Sequence, residues 1–310
     1  MRLCLPLLLM MTLAFAQDED VPLFKTGISL VKVDAQVQDA TGKDINGLRA
    51  SDFVVYDENQ PQTINDFGAE GEPVRVLFLL DVSGSMSRHL ADLGAKSTEL
   101  LRSLRPGDLV GLMNFASRSE LVQPLTADTK AIGAQITGSI YRQTLGRDTF
   151  VNEAIVDAAK YLANDPAKGR RAILVVTDNE GGLKAVKNSE VVKAVHAANA
   201  LLSAVIVGAD AGPYRPARYR DPLSGPPDLH RFAADTGGYI VTSAAPAEAL
   251  RPVLKDVTTR YSLQYTAPSA EDGTFRRIRV ELSPSTKAKF PGAKITARSG
   301  YTAGQTKSGP

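Results

Sequence analysis

An apolar run at residues 74–80, VRVLFLL, stops abruptly in DVSGSMS. A run this short, closed by an acid, serines and a glycine, predicts a buried parallel strand that delivers a polar loop at its carboxyl end. Asp81, Ser83 and Ser85 alternate in that loop, so one carboxylate and two hydroxyls can be aimed at a common point. Hard oxygen ligands that converge in this way suit Mg²⁺, Mn²⁺ or Ca²⁺.

Around that strand the pattern alternates between two periods. Helical spacing recurs over residues 89–104, 129–140, 149–163, 186–199, 228–236 and 247–259, and strand-like runs fill 109–115, 120–125, 171–177, 201–208 and 239–241. Strands separated by helices imply a mainly parallel sheet covered on both faces. In such sheets ligands bind beyond the carboxyl ends of the strands, where the strand order reverses. The loops that hold Asp81, Arg147-Asp148-Thr149 and Asp178 all fall on that edge.

The D-x-S-x-S stretch, preceded by a buried strand and followed by Thr149 and by Thr177-Asp178, resembles the von Willebrand factor A-domain family and its metal-ion-dependent adhesion site. The match covers residues 73–257 and implies a doubly wound, Rossmann-like α/β fold. It also carries the family's remaining metal-site roles onto Thr149 and Asp178, giving Asp81, Ser83, Ser85, Thr149 and Asp178 as the ligand set. The family has Gly after the second Asp, whereas Asn179 stands here. Asn is the non-Gly residue that best tolerates a left-handed backbone, so the turn is expected to survive. Asp148 has two readings, an acceptor for a water beside the metal or a cap of the next helix, and capping is the simpler one.

Both flanks of the central region read as β structure. Alternation begins at residue 28, and short strands are expected near 52–56 and 62–67, separated by Asn, Gly and Pro. Residues 261–265, 277–282 and 294–297 repeat the pattern after the central domain, with a hairpin turn at Asp272-Gly273. Neither flank is long enough for a core of its own. The expected solution is one antiparallel sandwich made from residues 17–72 and 258–302, with the central domain inserted between its strands; the alternative is two separate extensions. Residues 303–310 read as a tail.

Residues 1–16 read as a signal peptide: Arg2, an apolar stretch too short to span a bilayer, then Ala14-Phe15-Ala16 with cleavage after Ala16. The expectation is an exported chain, periplasmic or extracellular, with no membrane-spanning segment once processed. Cys4 is the one cysteine, leaves with the signal, and lies too early in the apolar run for a lipoprotein, so stability rests on the core rather than on disulfides. A formal charge of +2 argues against nucleic acid or a membrane surface as partner.

Enzyme readings find little support. An apolar strand ending in Asp also occurs in haloacid-dehalogenase-like phosphatases, but the second acid that they need two residues later is Ser83 here. His89, His196 and His230 assemble no triad. The resemblance implies instead a binding protein whose metal accepts an Asp or Glu carboxylate from a partner protein. The layout as a whole resembles bacterial A-domain-related proteins of acidobacterial type. The alternative is a scaffold of an envelope complex in which the metal only stabilises its loop. Residues 210–227 form a long Pro- and Gly-rich connection on the same edge, and Tyr214, Arg215, Arg218, Tyr219 and Arg220 are its candidate partner contacts.

Overall fold

The computed structural model describes residues 30–68, 72–139, 145–167, 169–180, 186–208, 227–268 and 273–304. The signal segment and the five candidate contacts Tyr214, Arg215, Arg218, Tyr219 and Arg220 lie outside the described residues. The central apolar run forms β5 (Val74–Asp81), buried at every position. It is flanked in the sheet by β6 (Leu109–Phe115) and β8 (Arg170–Thr177), both parallel to it. β7 (Ser119–Thr126) adds an antiparallel edge beside β6. On the other side follow β9 (Ala200–Val207) and β10 (Ile240–Ser243), giving the order β10-β9-β8-β5-β6-β7.

Continuous apolar character is what a strand covered on both faces requires. Val74, Val76, Phe78 and Leu80 join one core with α1 (Ser87–Leu101), α2 (Thr129–Ser139) and α6 (Pro246–Thr258). Leu77 and Leu79 join the opposite core with α3 (Val151–Ala163), α4 (Asn188–Ala197) and α5 (Leu229–Thr236). The chain leaves β5 for β6 on one side and returns to β8 on the other, so the strand order reverses at β5, whose carboxyl end is Asp81.

The flanks form a sandwich of two four-stranded antiparallel sheets, and each sheet draws strands from both ends of the chain. One has the order β13 (Lys294–Thr296), β1 (Leu30–Gln38), β11 (Tyr261–Thr266), β4 (Asp66–Gly68). The other runs β14 (Gly300–Thr302), β12 (Phe275–Leu282), β2 (Phe53–Asp57), β3 (Gln60–Gln62). Val31, Val33, Ala35, Val55, Leu263, Tyr265, Ile278 and Tyr301 meet between them. The two-extension alternative is therefore set aside.

Some local expectations need correction. The single strand expected over 62–67 is two, because Gln62 pairs with Val55 in one sheet whereas Phe67 pairs with Leu263 in the other. Alternation in the sequence does not reveal that the chain changes sheets between them. A short helix, α7 (Pro284–Lys289), interrupts the carboxyl flank, capped by the Ser283 hydroxyl accepting from Thr286 N with Pro at its first position. Among the described residues no helix is long and apolar enough to cross a membrane.

Candidate metal centre

Asp81 is fully buried at the end of β5, and its Oδ1 accepts from Ser83 N at 2.9 Å. That bond folds the DVSGS loop back on itself, and a 3₁₀ turn over Gly84–Met86 then leads into α1. Ser83 Oγ and Ser85 Oγ lie 3.2 Å apart, the first buried and the second exposed. The helix expected to start near residue 89 begins at Ser87, because the loop itself supplies the first turn.

Thr149 is brought to this edge by a clamp. Phe150 N donates to Ala116 O at 2.8 Å, Asp148 N donates to Ser117 Oγ at 2.9 Å, and Ser117 Oγ donates back to Asp148 O at 3.2 Å. Ala116 follows β6, whose Phe115 O accepts from Val82 N at 2.9 Å, so the clamp sits beside the DVSGS loop. Gly146 (φ +104°) makes this approach possible, since a Cβ there would lie 2.3 Å from Ser117 Oγ. Thr149 is 5 % exposed and precedes α3 rather than opening it. The capping reading of Asp148 is corrected: the residue at the cap position is Phe150, no side chain caps it, and Asp148 is exposed.

Asp178 follows β8 on the other side of β5, half-buried, with Oδ1 accepting from Glu180 N at 3.0 Å. The turn after it uses Asn179 in the left-handed region (φ 58°), as expected where the family has Gly. The carboxyl edge thus carries Asp81, Ser83 and Ser85 on one loop, flanked by Thr149 and Asp178 on the two neighbouring loops.

Thr177 was not among the sequence-derived candidates. Fully buried, its Oγ1 donates to Asp81 Oδ2 at 2.6 Å and accepts from Asn179 N at 3.0 Å, tying the acid of one loop to the turn of the next. The signal was parity: residues 77, 79 and 81 share a face of β5, as do 173, 175 and 177 of β8, and the register Leu79↔Val175 sets Thr177 against Asp81. The sequence shows the parity and not the register.

Burial pushes the Asp81 carboxyl above its ordinary range, the bonds from Thr177 and Ser83 oppose the rise, and the charge of Asp178 adds to it. Among the described residues no Lys, Arg or His forms an ion pair with Asp81 or Asp178. His89, at the start of α1, is engaged through Nε2, which accepts from Arg88 Nε at 3.0 Å. Burial and the charge of Arg88 lower its pKa, against the opposite pull of Asp178 and Asp92. No cluster of three or more His, Cys, Asp or Glu side chains forms a metal site among the described residues. The donor set here is of another kind, two carboxylates and three hydroxyls, all hard oxygens, and it fits Mg²⁺, Mn²⁺ or Ca²⁺.

Residues 76–181 match the family described as von Willebrand factor type A domain. No curated protein matches the chain. Among solved structures, an aerotolerance-related membrane protein from Bacteroides fragilis is 21% identical, covering 59% of this chain and 98% of its own, with a TM-score of 0.46. BatB from Bacteroides thetaiotaomicron is 22% identical, with coverages of 59% and 97% and a TM-score of 0.43. A von Willebrand factor type A protein from Catenulispora acidiphila is 13% identical over 90% of this chain and 74% of its own, with a TM-score of 0.45.

Proposed function

We propose, from the premise that this chain carries a von Willebrand factor type A domain, that it is an exported binding protein rather than an enzyme, and that its partner docks on the edge around Asp81. Asp81, Ser83, Ser85, Thr149 and Asp178 would hold a divalent ion, Mg²⁺ first, with Mn²⁺ or Ca²⁺ as alternatives. When bound, such an ion supplies an open coordination position that an Asp or Glu carboxylate of a partner protein can fill.

The observation that carries this reading is the state of Asp81. A buried carboxylate without a cation is expensive, and a second acid nearby makes it more so. Thr177 and Ser83 N orient its two oxygens without neutralising them. Among the described residues no cation pairs with its charge, which supports a position for a metal ion. From the sequence, Arg215, Arg218 and Arg220, with Tyr214 and Tyr219, are the candidates for gripping further acids on the partner.

The test is metal-dependent stability and capture. Mg²⁺ at 100-fold excess over its dissociation constant should stabilise the folded chain by about 2.7 kcal/mol, read by thermal unfolding. A partner drawn from envelope extract should be held with Mg²⁺ and released by chelator. No heat of metal binding and no shift would overturn the site; a partner held equally with chelator would make the metal a loop stabiliser in a scaffold.

A further inference from the structure

At the opposite edge of the sheet, where the sandwich meets the A domain, lies a cleft of about 170 Å³. Gln36, Gln38 and Asp44 line it from the sandwich, and Tyr239, Lys255 and Asp256 from the A domain. Asp44 is its hub: Oδ2 pairs with Lys255 Nζ at 2.8 Å, and Oδ1 accepts from Gln36 Nε2 at 3.3 Å and Gln38 Nε2 at 3.2 Å. Burial would raise the Asp44 pKa, but the bonds from Lys255 and the two amides hold it below the ordinary value. An ionised carboxylate only accepts, so both amides must turn their NH₂ groups toward Asp44. Each Oε1 is then left facing away as an acceptor.

Neither Oε1 has a hydrogen bond to another described residue, and neither is among the buried polar atoms without a partner, so both open on the cleft or on solvent. Asp256, 3 % exposed, gives Oδ2 to Arg260 at 2.6 Å while Oδ1 has no partner. Tyr239, 42 % exposed, lines the same cleft. The unfilled valences of Gln36, Gln38 and Asp256 are thus all acceptors, and the cation that lines the cleft, Lys255, is already engaged by Asp44.

Such a lining calls for a ligand that brings several hydrogen-bond donors. A divalent ion is the poorer match, because it takes about six oxygen ligands, whereas Lys255 and Arg260 already engage the two carboxylates and leave few free oxygens. A primary ammonium has three N–H donors for the free oxygens, and the Tyr239 ring adds cation–π attraction. The volume is below the roughly 300 Å³ at which drug-sized sites begin, which limits the ligand to a short alkyl stem. We propose that this cleft binds a primary alkylammonium group, held by the Gln36 and Gln38 carbonyl oxygens with Tyr239 against it. A ligand there touches both units of the protein and ties the sandwich to the A domain.

Calorimetric titration of the full chain tests this with 1,4-diaminobutane, Nα-acetyl-lysine amide, the neutral 1,4-butanediol and CaCl₂. At least one amine should bind and the diol should not. Gln38→Met and Tyr239→Leu, each checked for native circular dichroism, should weaken that binding about tenfold. Asp81→Asn should leave it unchanged. Diamine binding tighter than the lysine amide assigns a free amine as ligand, and the reverse order assigns a lysine side chain. No amine binding up to ~10 mM, equal affinity in both variants, or Ca²⁺ taking the site in place of the amine would overturn the proposal.

Discussion

The two ends of β5 treat buried carboxylates in opposite ways. At the amino end, where the sheet rests on the sandwich, Asp34 of β1 faces the fully buried Arg170 of β8, with Nε 3.1 Å from Oδ1. Arg170 also donates to Val257 O at 3.0 Å and Arg260 O at 2.7 Å. The Ser262 hydroxyl reaches Asp34 and Glu72, and Lys32 pairs with Glu72. Burial alone would raise the Asp34 carboxyl, but Arg170 and Lys32, with Ser262, pull it down to about 2. At the carboxyl end Asp81 is fully buried, has no cation paired with it among the described residues, and is pushed up. The comparison separates two uses of one residue type. A carboxylate matched inside the chain is a joint between units, whereas one with no cation among the described residues and a second acid nearby fits the metal position proposed above.

Breaking the joint should have the largest effect. Arg170→Met leaves Asp34 buried without its main cation and strands two carbonyls, and urea unfolding should report a loss of about 3–5 kcal/mol. Acid should act through the same pair. A carboxyl whose folded pKa is depressed contributes stability that is present above its unfolded value of 3.8 and is lost as pH falls toward about 2. The wild type should therefore lose stability across that window, and Arg170→Met should lose less. An unchanged acid limit in the variant would mean that the joint does not depend on this pair.

Neutralising the other end should act in the reverse direction. Asp81→Asn removes a buried charge whose pKa is raised, so without metal the variant should melt no lower than wild type, while the Mg²⁺-dependent gain of about 2.7 kcal/mol disappears. A large loss of metal-free stability in Asp81→Asn would show that the acid is structural, like Asp34, and the contrast would fail. Thr177→Val sharpens the point with a smaller change. It leaves Asp81 Oδ2 and Asn179 N without their partner, a cost of about 1–3 kcal/mol in chemical unfolding, and it should weaken Mg²⁺ binding because Asp81 is no longer oriented. Full metal affinity in this variant would remove Thr177 from the site.

Much of the carboxyl edge was legible because it is local. Asp81, Ser83 and Ser85 lie within five residues of one another, and the buried strand before them sets where they point. The α/β rhythm likewise follows from periods of 3.6 and 2 that each element carries by itself. Thr149 and Asp178 needed the family pattern, since nothing local ties them to Asp81. The joint was not legible at all. Arg170 reads as a charged residue at the head of a strand, and Asp34 as a polar position in an alternating one, and they are far apart in the chain.

The sequence by itself determined the parallel sheet, the site loop at the end of its central strand, and the need for two weak β flanks to share a core. Those follow from periodicity, turn chemistry and the minimum size of a core, which act over short distances or in composition. The tertiary structure alone decided that the chain switches sheets between Gln62 and Asp66, that Thr177 meets Asp81, and that Asp34 meets Arg170. Each depends on strand register or on the docking of two units. Both are set by how whole faces pack, so no single segment carries the information.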